Sequence, residues 1–230
     1  MKNGYVKTLA IGCLAILFYN GCKPKDCHED GTCAEDYRRM PLGEAKDYLY
    51  ALPGSYWIYK NSATGELDTQ TCTGFLLDTV IERGTLKNTK HITVEYERIN
   101  RVIYSSFNKS EFYDETGFYN PNAIRPLKTI MSRYLGARSN LVFFNPFVVG
   151  EKMASAASYT KCVSLDSILN INTDKFYMVV SFDIDIDFIG AMGEPPTSTI
   201  YYWGTNVGLI KKIDKIKNIS WSLINYKIIK

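Results

Sequence analysis

Residues 176–188 read FYMVVSFDIDIDF and form the most regularly alternating stretch of the chain. Every second residue is apolar, and the intervening positions end in Asp183, Asp185 and Asp187. Successive side chains of a β-strand point to opposite faces, so this period of two predicts a strand with one face in the core and the other largely in solvent. The predicted inward face consists of Phe176, Met178, Val180, Phe182, Ile184, Ile186 and Phe188.

The three aspartates are interpreted as a solvated acidic ladder, with a calcium site as the alternative. Side chains two apart on a strand stand about 6.6 Å apart in a row and do not wrap an ion. The loop and glycine of a calcium-binding turn are also missing from this stretch. The sequence therefore predicts no metal site.

Further stretches on both sides of this strand are rich in β-branched and aromatic residues and also predict strands. They are Ser55–Asn61, Leu67–Glu82, His91–Ser105, Leu141–Val149, Ser158–Leu169, Thr197–Trp203, Val207–Ile213 and Ile219–Ile229. The first two form a hairpin around a Ser-Ala-Thr-Gly turn, and Pro146 predicts an edge or bulge position for the fourth. In His91–Ser105 the apolar positions change parity, which predicts a bulge or bend between about Glu97 and Val102.

Two stretches lack a clear strand pattern. Pro41–Pro53 places Leu42, Ala45, Leu49 and Leu52 on one helical face and predicts a short helix, with an extended conformation as the alternative. Ser110–Arg138 carries several Pro, Gly and Asn residues and predicts a long connection with a helical turn around Leu127–Tyr134.

The composition agrees with a strand-rich globular protein. The chain is 46% hydrophobic and 22% charged and contains 17 Tyr, 11 Phe and 3 Trp. Its net charge of +3 is too small to indicate a nucleic-acid binder. The predicted fold is mainly β, a single strongly curved antiparallel sheet (a half-barrel) with one or two short helices. The alternative is a β-sandwich.

The amino-terminal residues predict export and lipid anchoring. Lys2 and Lys7 precede a short apolar run, and Gly21-Cys22 follows it and resembles the lipobox of bacterial lipoproteins. The resemblance implies that residues 1–21 are a signal peptide and that Cys22 carries a diacylglycerol-type anchor in the outer membrane, on its periplasmic or cell-surface face. Alternatives are an anchor at Cys13, an ordinary secreted protein and an uncleaved membrane anchor. Residues 22–40 are polar and predict a tether, and residues 41–230 predict a single antiparallel β domain.

The remaining cysteines predict a disulfide framework. Of six cysteines, Cys13 and Cys22 belong to the amino-terminal segment. An even set then remains, which is what an exported disulfide protein would show. The favoured pairing joins Cys27 with Cys33 and Cys72 with Cys162. A metal cluster of Cys27, His28 and Cys33 is the alternative, although it lacks a second ligand pair at zinc-like spacing.

The sequence carries no signature of catalysis. Its histidines are His28 and His91, and there is no nucleophile elbow, phosphate loop, dinucleotide fingerprint or HExxH. We therefore predict no catalytic residue and no cofactor. An enzyme that uses separated carboxylates remains as an alternative.

Two segments resemble a known group of proteins. Gly54-Ser55-Tyr56-Trp57-Ile58-Tyr59 with Thr64–Asp68, and Tyr201-Tyr202-Trp203-Gly204 with Val207–Lys211, resemble the opening and closing strands of uncharacterised Gram-negative surface lipoproteins. Those proteins are similar to the curved sheet of the lipoprotein carrier LolA. The resemblance itself says nothing about activity. Because catalytic motifs are missing, we predict a non-enzymatic binding or structural module. Its alternative is a carrier that holds an acyl chain or another lipid on the concave Phe176–Phe188 face, and a protein partner is a further possibility.

Overall fold

The computed structural model describes residues 36–85, 91–119, 128–135, 138–154, 159–186 and 197–230. The chain divides into two compact units. The smaller unit comprises Met1–Arg38 and Ile81–Val94, and its described part consists of strand segments. The larger unit comprises Arg39–Val80 and Glu95–Lys230.

The described residues form strands almost throughout, with one short helix. In chain order the elements are β1 (Asp36–Met40), α1 (Ala45–Leu49), β2 (Tyr56–Asn61), β3 (Leu67–Thr85), β4 (His91–Ser105), β5 (Ser110–Tyr119), β6 (Lys128–Leu135), β7 (Arg138–Asn145), β8 (Lys152–Ala154), β9 (Tyr159–Ile171), β10 (Asp174–Ile186), β11 (Thr197–Gly204), β12 (Gly208–Asp214) and β13 (Ile219–Lys227).

These strands belong to one antiparallel sheet with the order β7-β6-β5-β4-β3-β2-β13-β12-β11-β10-β9-β8, and β1 pairs with β4 off this path. The sheet is thus two meanders, β2–β7 and β8–β13, joined where β2 pairs with β13. The prediction of a mainly β, antiparallel protein is confirmed. The described strands form a single sheet and not the two sheets of the alternative sandwich.

Backbone and side-chain hydrogen bonds secure the junction between the two meanders. The Leu52 amide donates to the Ile229 carbonyl at 2.9 Å, and the Ser62 amide donates to the Ser220 carbonyl at 2.8 Å. The buried hydroxyl oxygen of Ser55 accepts a hydrogen bond from the Ile229 amide at 2.9 Å. The segments on both sides of β2 are therefore bonded to the start of β13 and to the residues that follow it.

The predicted hairpin and parity switch are both present. Trp57 and Tyr59 of β2 are buried, and Gly65 adopts a positive φ of 75° in the turn before β3. The buried positions of β4 shift from Tyr96 to the series Ile99, Arg101 and Ile103, so the inward parity changes between residues 96 and 99.

The predicted long connection over Ser110–Arg138 is wrong. The structure forms β5 and β6 there, paired from Tyr113 with Tyr134 to Tyr119 with Lys128. The inward face of β5 includes the buried polar residues Asp114 and Thr116 beside Phe112. A pattern that expects apolar residues inside therefore misses this strand.

The short helix predicted within Pro41–Pro53 is confirmed as α1, which covers only its central part. Ala45, Tyr48 and Leu49 of this helix are buried. They join the hydrophobic core, which includes Trp57 of β2 and Trp203 of β11. The helix thus supplies interior side chains to the same core as the sheet.

Candidate functional site

The interior around Phe182 is filled by aromatic side chains of the chain itself. Phe182 of β10 is fully buried, and its ring centroid lies 5.4 Å from that of Phe143 and 5.0 Å from that of Phe144, both on β7. Phe147 lies 6.1 Å from Phe182 and 5.2 Å from Phe143. Tyr48 of α1 packs against Phe147 at 5.3 Å. This face is solid core where Phe182 lies.

The predicted apolar ligand face is only partly inward. Its buried members are Phe176, Val180, Phe182 and Ile184. The side chain of Ile186 and the whole of Phe188 lie outside the described residues. Val179 and Ser181, on the opposite face, are buried as well, so the prediction that this face is largely solvated is also wrong.

Met178 does not belong to the inward face, which corrects the prediction. Its side chain is 61% exposed and its φ is +46°, a left-handed conformation that L residues rarely adopt. The residues on either side keep the regular register with β9, Tyr177 opposite Ile168 and Val179 opposite Asp166. The left-handed backbone thus turns one side chain outward without shifting the strand.

Two hydroxyl groups hold this distortion, which we call the Met178 kink. The Met178 carbonyl accepts hydrogen bonds from Tyr48 Oη at 2.7 Å and from Thr205 Oγ1 at 3.3 Å. The Thr205 amide also donates to the Tyr177 carbonyl at 3.3 Å. Burial raises the pKa of Tyr48 above its ordinary value. A hydrogen bond with Thr205 acts against this rise and the nearby carboxylates of Glu44 and Asp47 add to it, so the phenol remains a donor.

The kink borders an open depression of about 570 Å³ in the described part of the chain, which we call the Met178 depression. Tyr177 and Met178 lie at its edge and are 59% and 61% exposed. Non-glycine residues with positive φ cost roughly 1–3 kcal/mol and cluster at functional sites. An open depression beside such a residue is therefore a candidate binding site.

The rest of this depression includes three lysines and a second tyrosine, together with Phe176, Thr205, Asn206, Val207 and Ile228. It is lined by Lys175 of β10, by Tyr226 and Lys227 of β13, and by Lys230. Lys230 Nζ donates a hydrogen bond to Asn206 Oδ1. The Tyr226 ring lies 6.3 Å from that of Phe176, which connects the depression to the core.

A second open depression of about 530 Å³ lies over β3, β4 and β5. Leu76, Val102 and Tyr113 contribute apolar surface to it. Gly74 lies close to this surface, and a Cβ at this residue would lie 3.0 Å from a Val102 methyl carbon. The described surface therefore carries open depressions on different parts of the sheet.

A buried ion pair lies between β4 and β5. Arg101 Nε and Nη2 donate to Asp114 Oδ2 at 3.0 and 2.8 Å, and Arg101 Nη1 donates to the Leu49 carbonyl at 3.0 Å. The two side chains are 4% and 1% exposed. The guanidinium also lies 6.0 and 5.9 Å from the rings of Trp57 and Trp203. The two charged side chains are thus almost completely enclosed, and the pair is a structural element of the core.

Sequence reasoning missed this pair, although a signal for it exists. Arg101 stands at the same parity as Ile99 and Ile103, which predicts an inward side chain. Asp114 faces it directly across the β4–β5 ladder. An opposite charge at a cross-strand position is the partner that an inward arginine needs.

The acidic ladder of β10 is only partly within the described residues. Asp183 forms an ion pair with Lys215, whose Nζ lies 2.7 Å from Oδ1. The side chain of Asp185 and the whole of Asp187 lie outside the described residues. In the described part of the chain, no group of three His, Cys, Asp or Glu side chains is placed to hold a metal ion.

The predicted disulfide between Cys72 and Cys162 is not formed. Both residues are buried thiols. Cys72 lies on β3, where its Sγ is 3.3 Å from the carbonyl oxygens of Ala51 and Gly74, whereas Cys162 lies on β9 opposite Phe182. Five strands separate β3 from β9 in the sheet order. Cys22, Cys27 and Cys33 lie outside the described residues.

We expect Cys72 and Cys162 to be alkylated only after unfolding. Burial raises the pKa of Cys72 above its ordinary value of 9.0, and Arg101 only partly offsets this. The folded state therefore binds the Cys72 thiol proton more tightly than the unfolded state does. The contribution of this group to the free energy of unfolding is present below pH 9.0 and is lost as the pH rises through the raised pKa. At pH about 8, iodoacetamide should modify Cys72 in the folded protein at least about tenfold more slowly than in the denatured protein.

Peptide mass spectrometry without reductant measures this directly. Both peptides should carry the label after denaturation alone. If Cys72 and Cys162 are labelled only when a reductant is added as well, the two residues form a disulfide and the structure is contradicted.

The described residues contain no helix that is long and apolar enough to cross a membrane. Of the two histidines, His91 begins β4 with its side chain outside the described set, and His28 lies outside the described residues altogether. Comparison with known protein families, curated proteins and solved structures gives no match to this chain.

Proposed function

We propose that this chain is an exported bacterial lipoprotein, anchored in the outer membrane through Cys22, whose β body binds a ligand on its surface and performs no catalysis. The observation that carries the surface-binding part is the packing around Phe182. Because Phe143, Phe144 and Phe147 cover that ring, the described interior is filled by protein side chains. The open depressions lie elsewhere, and the one beside Met178 has a strained backbone residue at its edge.

The same packing weighs against the alternative of a lipid carrier. A carrier that held an acyl chain over Phe182 would need an apolar cavity of several hundred cubic ångströms there. Phe182 instead packs against three phenylalanines of the chain. A filled core with exposed aromatic and apolar side chains such as Tyr177 and Met178 favours recognition at the surface.

We further propose that the sheet of the larger unit is strongly curved, as in the half-barrel of LolA-like proteins. Its two end strands, β7 and β8, follow each other in the chain, and the link from Asn145 to Lys152 spans at most about 25 Å. Twelve strands laid flat would separate those ends by about 50 Å. The ring contact between Phe143 of β7 and Phe182 of β10 supports the same proposal.

The anchor is tested by metabolic labelling with radioactive palmitate in a Gram-negative host. The unmodified chain should be labelled and should fractionate with the outer membrane, whereas Cys22→Ala should lose the label. Cys13→Ala is the matched control, because it removes the competing cysteine, and it should keep the label. Equal labelling of Cys22→Ala and the unmodified chain would refute the anchor.

A further inference from the structure

We propose that the Met178 depression is a binding site for an organic phosphate ester, an anionic head on an apolar body. The inference deepens the surface-binding proposal and rests on it, since it names the ligand class of the same depression. Its evidence is the combination of lysines, exposed aromatic and apolar side chains and a strained backbone at one place. Those residues are Lys175, Tyr177, Met178, Tyr226, Lys227 and Lys230.

The charge of the lining selects an anion. Lys175, Lys227 and Lys230 contribute three ammonium groups, and none of the described lining residues is an aspartate or a glutamate. Asp47 lies nearby, but it contributes its backbone carbonyl, which accepts from the Asn206 amide at 2.6 Å. Three ammonium groups with no acidic side chain in the described lining give the depression a positive potential, which a bound anion would neutralise.

The type of cation favours phosphate over carboxylate. Arginine recognises planar carboxylates through two parallel hydrogen bonds, whereas lysine acts as a point charge and is a common phosphate ligand. The described lining contains lysines and no arginine. A compact, doubly charged phosphate monoester matches three point charges better than a single carboxylate does.

The apolar part of the lining favours an ester over inorganic phosphate. Met178, Val207 and Ile228 contribute apolar surface, and the exposed rings of Tyr177 and Tyr226 provide flat faces with polar ends. An exposed methionine adapts its shape to different apolar groups. The ligand should therefore carry an apolar group next to its phosphate.

The Met178 kink explains why these residues are presented together. A regular strand would direct Met178 inward with Phe176 and Val180. The bonds from Tyr48 and Thr205 to its carbonyl instead stabilise the left-handed residue and keep its side chain at the depression. The strain is maintained by the surrounding structure, as is common where a backbone is shaped for binding.

Calorimetric titration of the full chain in a neutral detergent, with phenyl phosphate as the probe, tests the inference. We expect saturable binding that weakens about tenfold or more in the double variant Lys175→Gln/Lys227→Gln and that also weakens at high salt. The matched control is Lys161→Gln/Lys217→Gln, which removes the same charge from exposed lysines of β9 and the β12–β13 turn and should bind as the unmodified chain does.

A second arm identifies the source of the phosphate. Phosphatidic acid added to the micelles presents the phosphate on a lipid, whereas phenyl phosphate is a soluble ester. Tighter binding of phosphatidic acid would indicate a membrane lipid as the ligand, and tighter binding of phenyl phosphate would indicate a soluble ligand. Equal urea midpoints for both double variants would show that the comparison concerns binding and not folding.

Two outcomes would overturn the inference: no binding of either probe, or equal weakening by the two double variants. With palmitate labelling of Cys22 retained, either outcome would leave the anchored protein standing and reject only the phosphate ligand. Loss of palmitate labelling at Cys22 together with lysine-dependent phosphate binding would reject the lipid anchor and keep the phosphate ligand.

Discussion

Replacing Arg101 with leucine is expected to lower the free energy of unfolding by about 3–5 kcal/mol. The substitution removes three hydrogen bonds, two to Asp114 and one to the Leu49 carbonyl. It leaves the Asp114 carboxylate buried without its guanidinium, and the cost of such a charge exceeds the cost of the lost bonds. Contacts with the rings of Trp57 and Trp203 disappear as well. Urea unfolding followed by tryptophan fluorescence measures the change.

Arg98→Leu is the matched control on the same strand. Arg98 also forms ion pairs, at 2.7 Å with Asp78 and 3.4 Å with Glu115, but these side chains are about a third exposed. Exposed pairs contribute about 0–1 kcal/mol, so this variant should lose little stability. The double variant Arg101→Met/Asp114→Leu should recover most of the loss of Arg101→Leu, because neither charge then remains buried. Equal losses for Arg101→Leu and Arg98→Leu would contradict the structural role of the buried pair.

Phe182→Ala is expected to destabilise the protein by about 3–5 kcal/mol, because it leaves a cavity among rings that now touch. Phe143, Phe144 and Phe147 all lose their common partner. The measurement is again the free energy of unfolding in urea. If the Phe182 face were instead a ligand surface open to solvent, truncating one ring would change stability by much less.

Tyr177→Ala serves as the control for this substitution. It truncates an aromatic ring on the same strand, five residues away, but this ring is exposed and lies outside the core cluster. Exposed substitutions of this kind usually change stability by less than about 0.5 kcal/mol. A loss for Phe182→Ala no larger than that for Tyr177→Ala would reject the filled interior.

Side-chain alternation in the sequence predicted much of the sheet, because alternation directly reflects burial. β4 has the same bounds as its prediction, His91–Ser105, and its change of inward parity before Ile99 is readable from the apolar positions. The hairpin of β2 and β3 follows from two alternating stretches on either side of a glycine-containing turn.

Side-chain alternation does not predict burial correctly where inward positions are polar, or where the backbone conformation turns a side chain to the other face of the strand. β5 buries Asp114 and Thr116, which hides its inward face from an apolar pattern. Regular alternation along the strand places the Met178 side chain on the inward face, but its left-handed conformation turns the side chain outward. The hydrogen bonds that stabilise this conformation come from Tyr48, 130 residues earlier in the chain, and from Thr205. The candidate site was therefore beyond the reach of local sequence reasoning.

The predicted disulfide between Cys72 and Cys162 failed for a related reason. Counting cysteines gives the parity of the set but not the positions of its members in the sheet. Cys72 lies on β3 and Cys162 on β9, in different meanders. The separation of these two strands in the sheet depends on the pairing of β2 with β13. The order of strands across this junction is not encoded in any short stretch.

The junction also has a consequence for how the protein folds. Each meander can form from neighbouring hairpins, but Tyr59 of β2 pairs with Leu223 of β13, and contacts so distant in sequence form slowly. Until β13 has arrived, β2 presents an unpaired edge with open amides and carbonyls, which invites pairing with other chains. A protein that crosses a membrane unfolded would thus carry an aggregation-prone edge until its last strand has docked.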